Sequence, residues 1–166
     1  MRNQLTENDI KKMQEEIEYR KLVVRQEALE DVKSARAQGD LSENFEYYAA
    51  KKFKNKNESR IRFLERMIRT AEVIEDDSAA DEVGVNNRVD VWFEEDCEME
   101  TYKIVTTMRQ NSLEGLISVE SPLGKALIGK KVGDRVFVEI GKGAGYYVVV
   151  KAIDKTATDD EQIRSF

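Results

Sequence analysis

Two carboxylates three residues apart, Asp40 and Glu43, are the side chains whose type and spacing could most readily do chemistry. Gly39 precedes them, and Ser42 and Asn44 stand beside them. Carboxylate oxygens are ligands that a hard cation such as Mg²⁺ prefers, but two side chains cannot complete its coordination shell. A partner would have to supply the missing ligands. The more ordinary interpretation is that one acid caps a helix and interacts favourably with its dipole.

Basic and aromatic side chains flank these two acids. The basic ones are Lys33, Arg36, Lys51, Lys52, Lys54 and Lys56, and the aromatic ones are Phe45, Tyr47 and Tyr48. The basic cluster has two equally good interpretations. It forms either a solvated helix face or a surface that contacts a phosphate backbone or enters a charged cavity. We expect the aromatic rings to cover a helical core rather than to stack on bases.

Other kinds of site are excluded or disfavoured by residue type. The sequence contains no His and one Cys, so it can form neither a His-based triad nor an intramolecular disulfide. Cys97 lies in an acidic loop, which disfavours the thiolate. The glycines of residues 141–145 lack the pattern of a phosphate-binding loop and join two predicted strands.

Composition favours a long solvated helix beside a smaller core. Charged residues make up 36% and apolar residues 40% of the 166 residues, too charged for one compact core and too apolar for disorder. The net charge of −6 comes from the second half, because the first half is nearly neutral, and it disfavours coating of bulk DNA. The N-terminus does not resemble a signal peptide, and no run approaches the roughly 20 apolar residues of a membrane span. We therefore expect a cytoplasmic protein.

The residues around Asp40 and Glu43 are predicted to join two long helices. Between Glu7 and Ile74 there is no Pro and a single Gly, and Thr6 with Asp9 resembles a capping box. Apolar residues recur at heptad spacing at Ile10, Met13, Ile17, Val24, Ala28 and Ala35, and again at Ala49, Phe53, Phe63, Met67 and Ile74.

Gly39 can end the first helix, and Ser42 or Asp40 can cap the second. Two arms of about 30 residues, each roughly 45 Å long, indicate an antiparallel hairpin. Facing residues should then have numbers that add to about 81, which places Met13 opposite Ile68 and Ala28 opposite Phe53. One continuous helix is the alternative, but Gly39 and the polar residues after it interrupt the seam.

The second half is predicted to be a small α+β domain. Strands are indicated at Arg88–Glu94, Thr101–Thr106, Gly115–Val119, Arg135–Ile140 and Tyr146–Ile153. Ser121 and Pro122 start a short helix as its cap and first residue. We predict a helical hairpin over residues 1–76 and an α+β domain over residues 77–166, with a loose tail from about residue 156.

Two stretches resemble the Gre-type bacterial transcript-cleavage factors, most closely the GreA members of that family. Residues 35–50 contain GDLSENFEYYAA, which resembles the acidic tip of the family, and residues 121–130 read SPLGKALIGK, which resembles a segment of its second domain. The resemblance extends over about residues 5–155. This chain departs from the family pattern at Phe45, where Ala is usual, at Tyr48, where His is common, and at Gln26, where Pro is common.

The resemblance implies a monomeric factor that binds bacterial RNA polymerase, not membranes. A second domain of FKBP-like fold would dock at the rim of the polymerase secondary channel through Ser121, Pro122, Leu123, Gly124 and Lys125. The hairpin would pass down the channel, with Leu41, Ser42 and Asn44 supporting the tip and Arg36, Lys51 and Lys52 contacting phosphate, RNA or the channel wall. Asp40 and Glu43 would help to hold a second Mg²⁺ of the polymerase while it cleaves backtracked nascent RNA.

On this interpretation the protein is not itself an enzyme and has no cofactor of its own, because the Mg²⁺ belongs to the polymerase active site. It would stimulate the intrinsic RNA cleavage activity of the polymerase and rescue arrested complexes. One alternative is an inhibitor that binds the same channel without stimulating cleavage, but such relatives alter the tip acids, and here they are intact. A peptidyl-prolyl isomerase is a weaker alternative, because the second domain shows no evident aromatic-lined pocket.

Overall fold

A computed structural model of the protein describes residues 3–39 and 44–165. The chain divides into two compact units. One contains Ile10–Ala71, and the other contains Glu72–Ser165 together with Gln4–Asp9. The predicted α+β fold class is confirmed, with a helical hairpin followed by a sheet domain.

The first unit contains the predicted helical hairpin except for the first three residues of its first helix, which belong to the second unit. Its first arm runs through α1 (Glu7–Tyr19), a π-helical turn (Arg20–Val24) and α2 (Arg25–Arg36), and its second arm is α3 (Phe45–Arg69). Polar pairs link the arms, namely Glu16–Arg60, Arg20–Asn57, Lys21–Glu65, Arg25–Glu58 and Arg36–Tyr47. The residue numbers of these pairs add to between 76 and 86, so the arms are antiparallel in about the predicted register.

The predicted apolar seam is correct in the first arm and wrong in the second. Met13, Ala28 and Ala35 are buried as expected. In α3, however, Phe53 is 53% exposed, so it does not fill the core opposite Ala28. The buried residues of α3 are Asn57, Arg60, Ile61 and Leu64. The heptad spacing also predicts Arg60 on the seam between Phe53 and Phe63, and Arg60 is buried. The seam is displaced at Asn57, a polar residue that an apolar pattern does not identify.

The second unit is built on a five-stranded sheet with strand order β5-β4-β3-β7-β6. Its strands are β3 (Arg88–Phe93), β4 (Glu98–Val105), β5 (Leu116–Ser118), β6 (Arg135–Gly141) and β7 (Ala144–Asp154). The pairs within it are antiparallel except for β4 with β5. Two further strands, β1 (Asn3–Leu5) and β2 (Ala71–Val73), form a small sheet of their own. All five strands predicted for this half of the chain are therefore present.

The helix α4 (Pro122–Leu127) packs on this sheet. The Ser121 side chain caps it by accepting a hydrogen bond from the Gly124 N–H at 3.0 Å, as predicted. Valines that alternate along β3, β6 and β7 form the core with Leu123 and Leu127 of α4. Gly124 has to be small, because a Cβ atom there would lie 2.0 Å from the carbonyl oxygen of Ser118.

The C-terminal tail was predicted to be loose, but it is held by hydrogen bonds within the second unit. Lys103 donates to the Thr158 carbonyl and to Glu161, and Arg109 donates to Glu161 at 3.0 Å. The Asp159 carboxylate accepts from Thr6 at 3.1 Å and from Asn8. The tail lacks regular secondary structure, yet it is held in place because the buried Lys103 and Arg109 need a negatively charged partner.

Candidate functional site

The predicted catalytic acids belong to the segment that joins the two arms. Asp40, Leu41, Ser42 and Glu43 lie outside the described residues, which resume at Asn44. Gly39, the last residue described before them, has a φ of +135°, a backbone conformation that Gly adopts far more readily than other residues. The last helix of the first arm, α2, ends at Arg36, three residues before the predicted end at Gly39.

Asn44 begins the second arm and also binds the end of the first. Its side-chain oxygen accepts a hydrogen bond from the Tyr47 N–H at 3.0 Å and so caps α3. The expectation that Ser42 or Asp40 caps this helix is wrong, because the cap is Asn44. Asn is as favourable at this position as Ser or Asp. The amide group of Asn44 also donates to the carbonyl oxygen of Ala35 at 2.6 Å. One side chain thus satisfies unpaired backbone groups of both arms.

Arg36 faces the second arm just behind this junction. Its guanidinium donates a hydrogen bond of 3.4 Å to the Tyr47 hydroxyl and lies 5.6 Å from the centre of the Tyr47 ring. That hydrogen bond lowers the pKa of the Tyr47 phenol, and the charges of Lys51 and Lys54 act in the same direction. Arg36 therefore stabilises the junction, and its predicted contact with phosphate or the channel wall stays a prediction.

The other predicted contact residues, Lys51 and Lys52, are exposed on α3. The three aromatic residues near the start of α3 were expected to cover the hairpin core, but two of them are mainly exposed to solvent. Phe45 is 85% exposed and Tyr48 is 51% exposed, and only Tyr47 is half-buried. The helical end of the hairpin thus presents lysines and aromatic rings to solvent together.

The five predicted docking residues divide into two groups. Leu123 and Gly124 are buried in the packing of α4, so they support a docking surface without reaching a partner. Pro122 and Lys125 are exposed, and Ser121 is half-buried as the helix cap. Pro122 and Lys125 line a groove of about 510 Å³ together with Glu120, Ala126, Phe137, Glu139 and Gly141.

Across residues 3–39 and 44–165, no three metal-binding side chains lie close enough together to hold an ion. Oxygen donors such as Asp40 and Glu43 suit Mg²⁺ by their chemistry, and both belong to the segment outside those ranges. None of the helices in the same ranges is long and apolar enough to cross a lipid bilayer.

Comparison with known proteins identifies relatives across almost the whole chain. Two family models match, one described as transcription elongation factor, N-terminal, over residues 3–73, and one as transcription elongation factor, GreA/GreB, C-term, over residues 78–155. Transcription elongation factor GreA of Bacillus licheniformis is 45% identical over 148 residues, which are 89% of this chain and 94% of that protein. GreA of Thermoanaerobacter pseudethanolicus is 47% identical over 140 residues, 84% of this chain and 89% of that protein.

The comparison with solved structures is weaker. A structure of the transcription factor Gfh1 covers 92% of this chain and 97% of its own, with 26% identity and a TM-score of 0.45. Similarity at this level does not distinguish one kind of factor from another.

Proposed function

The chain belongs to the GreA/GreB family of transcription elongation factors, and we propose that it binds bacterial RNA polymerase and stimulates the Mg²⁺-dependent cleavage of backtracked nascent RNA. The observation that carries the proposal is the position of two acids in the sequence. Asp40 and Glu43 both belong to the eight residues that separate the two helical arms in the sequence, and Asn44 holds the ends of those arms together.

The proposed role of the two acids follows from the chemistry of carboxylates. A second Mg²⁺ in a phosphodiester-cleaving site polarises the phosphate and activates a water molecule. Asp40 and Glu43 would each provide oxygen ligands and one negative charge for that ion at the polymerase active site, and would hold the attacking water in place. They are too few to bind the ion alone. The chain therefore acts as an accessory to the polymerase.

The basic residues behind the tip are assigned a supporting role. Lys51 and Lys52 are exposed and carry positive charge close along the chain to the two acids. Such charges attract a phosphate backbone or an acidic channel wall and orient it without reading sequence. Arg36 contributes to the same field while it remains bonded to Tyr47.

We assign polymerase docking to the exposed side of α4. Pro122 and Lys125 line a groove whose other wall includes Phe137 and Glu139 of β6. The groove combines apolar surface with one basic side chain, Lys125, and two acidic ones, Glu120 and Glu139. Such a mixture provides both contact area and orientation for a helical or looped partner.

One experiment separates the two roles. RNA cleavage in stalled polymerase complexes and competitive binding to polymerase are measured for the wild type, Asp40→Ala, Glu43→Ala, Ser42→Ala and Lys125→Glu. We expect each acid variant to lose roughly 100-fold in cleavage, a loss typical of removing one group that stabilises transition-state charge. Binding by both should remain near that of the wild type. Ser42→Ala is the matched control and should lose less, because a hydroxyl carries no charge.

Lys125→Glu should show the opposite pattern, with weaker binding and normal cleavage once the protein saturates the polymerase. If the wild type binds but cleaves no faster than polymerase alone, the protein is a channel-binding inhibitor. If both acid variants cleave normally, Asp40 and Glu43 serve only in the turn between the arms.

A further inference from the structure

A small aromatic pocket lies beside the turn of residues 94–97, which joins β3 to β4. It has a volume of about 150 Å³ and is lined by Phe93, Glu95, Asp96, Tyr146 and Tyr147. We propose that this pocket, here called the turn pocket, binds a guanidinium group, which stacks on its rings while its carboxylates pair with the charge. None of its lining residues lines the groove beside α4, so the proposal goes beyond the proposed function.

The rings of the pocket are ordered before any ligand arrives. The Phe93 and Tyr146 rings stack with centres 5.8 Å apart, and the Tyr102 ring meets Phe93 edge-on at 6.1 Å. All three side chains pack against the core of the sheet domain and are only partly buried. Ordered rings lose little conformational entropy on binding, so the uncovered parts of Phe93 and Tyr146 form a prepared surface.

The two carboxylates that line the pocket lack a counter-charge. Within residues 3–39 and 44–165, the exposed Glu95 and Asp96 form no side-chain ion pair or hydrogen bond. The face of an aromatic ring attracts a cation, and a carboxylate beside the ring adds a charge-assisted hydrogen bond. The residue types of the turn pocket therefore select a cation rather than an anion or a neutral molecule.

The chain forms the proposed kind of contact once by itself, next to the pocket. The Arg135 guanidinium lies 3.7 Å from the centre of the Tyr147 ring and donates hydrogen bonds of 2.7 and 3.0 Å to Glu94. The turn pocket offers the same combination of rings and carboxylates, but the described residues supply no cation for it. A guanidinium from outside the chain would complete the combination.

Size and shape favour a guanidinium over other cations. A cavity of about 150 Å³ accommodates a molecule as large as benzene, and a guanidinium with its adjoining methylene groups is of similar size. A guanidinium is planar and weakly hydrated, so it stacks on a ring more readily than a compact ammonium group does. A metal ion is disfavoured, because residues 3–39 and 44–165 contain no group of three metal-binding side chains.

The Tyr146 hydroxyl provides a further acceptor for the ligand. Burial raises the pKa of this phenol, so it stays neutral at neutral pH. Among the described residues it has no hydrogen-bond partner. A guanidinium carries several N–H donors and can therefore bond to this oxygen and to a carboxylate at the same time. Small guanidine compounds and the arginine side chains of proteins share this chemistry.

The test is an NMR titration of the isotope-labelled full chain with Nα-acetylarginine amide, followed through the backbone amides. The amides of residues 93–97 and 146–147 should shift together and saturate. Nα-acetylcitrulline amide is the matched ligand control, because its urea group has nearly the same shape but no charge. It should bind roughly tenfold more weakly, since it forms neither a cation–π contact nor an ion pair.

Two substitutions test the two kinds of contact. Glu95→Gln changes an exposed side chain, so the fold is kept, and binding should weaken by up to about fivefold, as for one exposed ion pair. Tyr146→Leu removes a ring and should weaken binding roughly twofold to thirtyfold, while Tyr146→Phe should lose less. Glu114→Gln, an exposed acid elsewhere in the same unit, is the control and should bind normally.

The form of the arginine distinguishes the two sources of the ligand. An uncharged tripeptide with a central arginine that binds roughly tenfold tighter than the amide identifies a protein side chain, and equal affinity identifies a small molecule. The proposal is overturned by a wild type whose pocket amides do not shift, or by equal binding of the citrulline amide. Normal binding by both Glu95→Gln and Tyr146→Leu, or an equal loss in Glu114→Gln, would overturn it as well.

Discussion

At the scale of single residues, Asn44 controls the junction between the arms. Its oxygen caps α3 and its amide nitrogen binds the last turn of α2 through the Ala35 carbonyl. The two bonds use different atoms of one side chain, so they can be separated by substitution. That separation tests whether the acidic segment has to be held by the junction in order to act.

We predict different outcomes for two substitutions of Asn44. Asn44→Ala loses both bonds and should destabilise the hairpin by about 1 kcal/mol, as loss of a helix cap does. Asn44→Asp keeps the cap and adds a charge that favours the helix dipole, but its carboxylate cannot donate to Ala35. The free energy of unfolding should therefore stay near that of the wild type in Asn44→Asp. Stimulation of cleavage should fall severalfold in both variants. Urea unfolding and cleavage of stalled complexes are the measurements, and full cleavage by Asn44→Asp would show that the bond to Ala35 does not position the tip.

At the scale of elements, a polar network fixes the middle of the hairpin. Glu16 accepts hydrogen bonds of 2.8 Å from both Arg20 and Arg60, and Arg60 is buried. Asn57 accepts from Arg20 at 2.9 Å and donates to the Arg20 carbonyl at 3.3 Å. The same carbonyl accepts from the Arg25 N–H in the π-helical turn. Buried polar groups of this kind are satisfied in one register only, so they specify how the arms align.

Charge on Glu16 should matter for the stability of the hairpin. Burial raises the pKa of this carboxyl, but the hydrogen bonds from Arg60 and Arg20 outweigh it, and the net effect is a lowered pKa. Glu16→Gln should cost about 1.5–3 kcal/mol near pH 7, the usual value of hydrogen bonds to charged groups. Glu15→Gln, an exposed neighbour, is the control and should change stability by less than about 0.5 kcal/mol.

The pH dependence follows from the lowered pKa. The stabilisation by Glu16 is fully present above the ordinary carboxyl pKa of 4.5 and is lost as the pH falls through the lower value of the folded state. The stability difference between wild type and Glu16→Gln should therefore shrink in acid. Urea unfolding followed by circular dichroism at neutral and acidic pH measures it, and a difference that does not change with pH would contradict the role of the charge.

At the scale of the whole molecule, residues far apart in sequence complete the second unit. Asp9 and Arg109 are both fully buried and joined by a hydrogen bond of 2.6 Å, although 100 residues separate them. Asp9 also accepts from Thr106 at 2.6 Å and closes the capping box with Thr6. The first turn of α1 is thus part of the folded sheet domain, and a fragment that starts at residue 77 would lack the buried counter-charge that Asp9 gives Arg109.

Removing the Asp9 charge should destabilise the second unit. Asp9→Asn is expected to cost about 3 kcal/mol, because breaking a buried ion pair leaves a buried charge without full compensation. Glu7→Gln, in the same helical turn but exposed, is the control. Fluorescence of Trp92, which lies in β3 and is the single Trp of the chain, reports unfolding of this unit. Equal stability of the two variants would mean that the pair contributes nothing beyond the cap.

The sequence by itself determined the features that depend on neighbouring residues. Periodicity indicated both helical arms and the strands, and the caps at Thr6 and Ser121 marked where α1 and α4 begin. The motif around Asp40 and Glu43 indicated the family. These signals are readable because a helix cap or an apolar period requires particular residues at fixed short spacings.

The tertiary structure decided which polar groups are buried and which aromatic groups are not. Asn57 and Arg60 occupy the seam because Glu16 and Arg20 meet them from the other arm, and Asp9 is buried because Arg109 reaches it. Phe45 stands in solvent because nothing in the other arm covers it among the residues that the structure describes. A polar side chain can be buried only where folding brings it a partner, and no local pattern encodes a partner that is many tens of residues away.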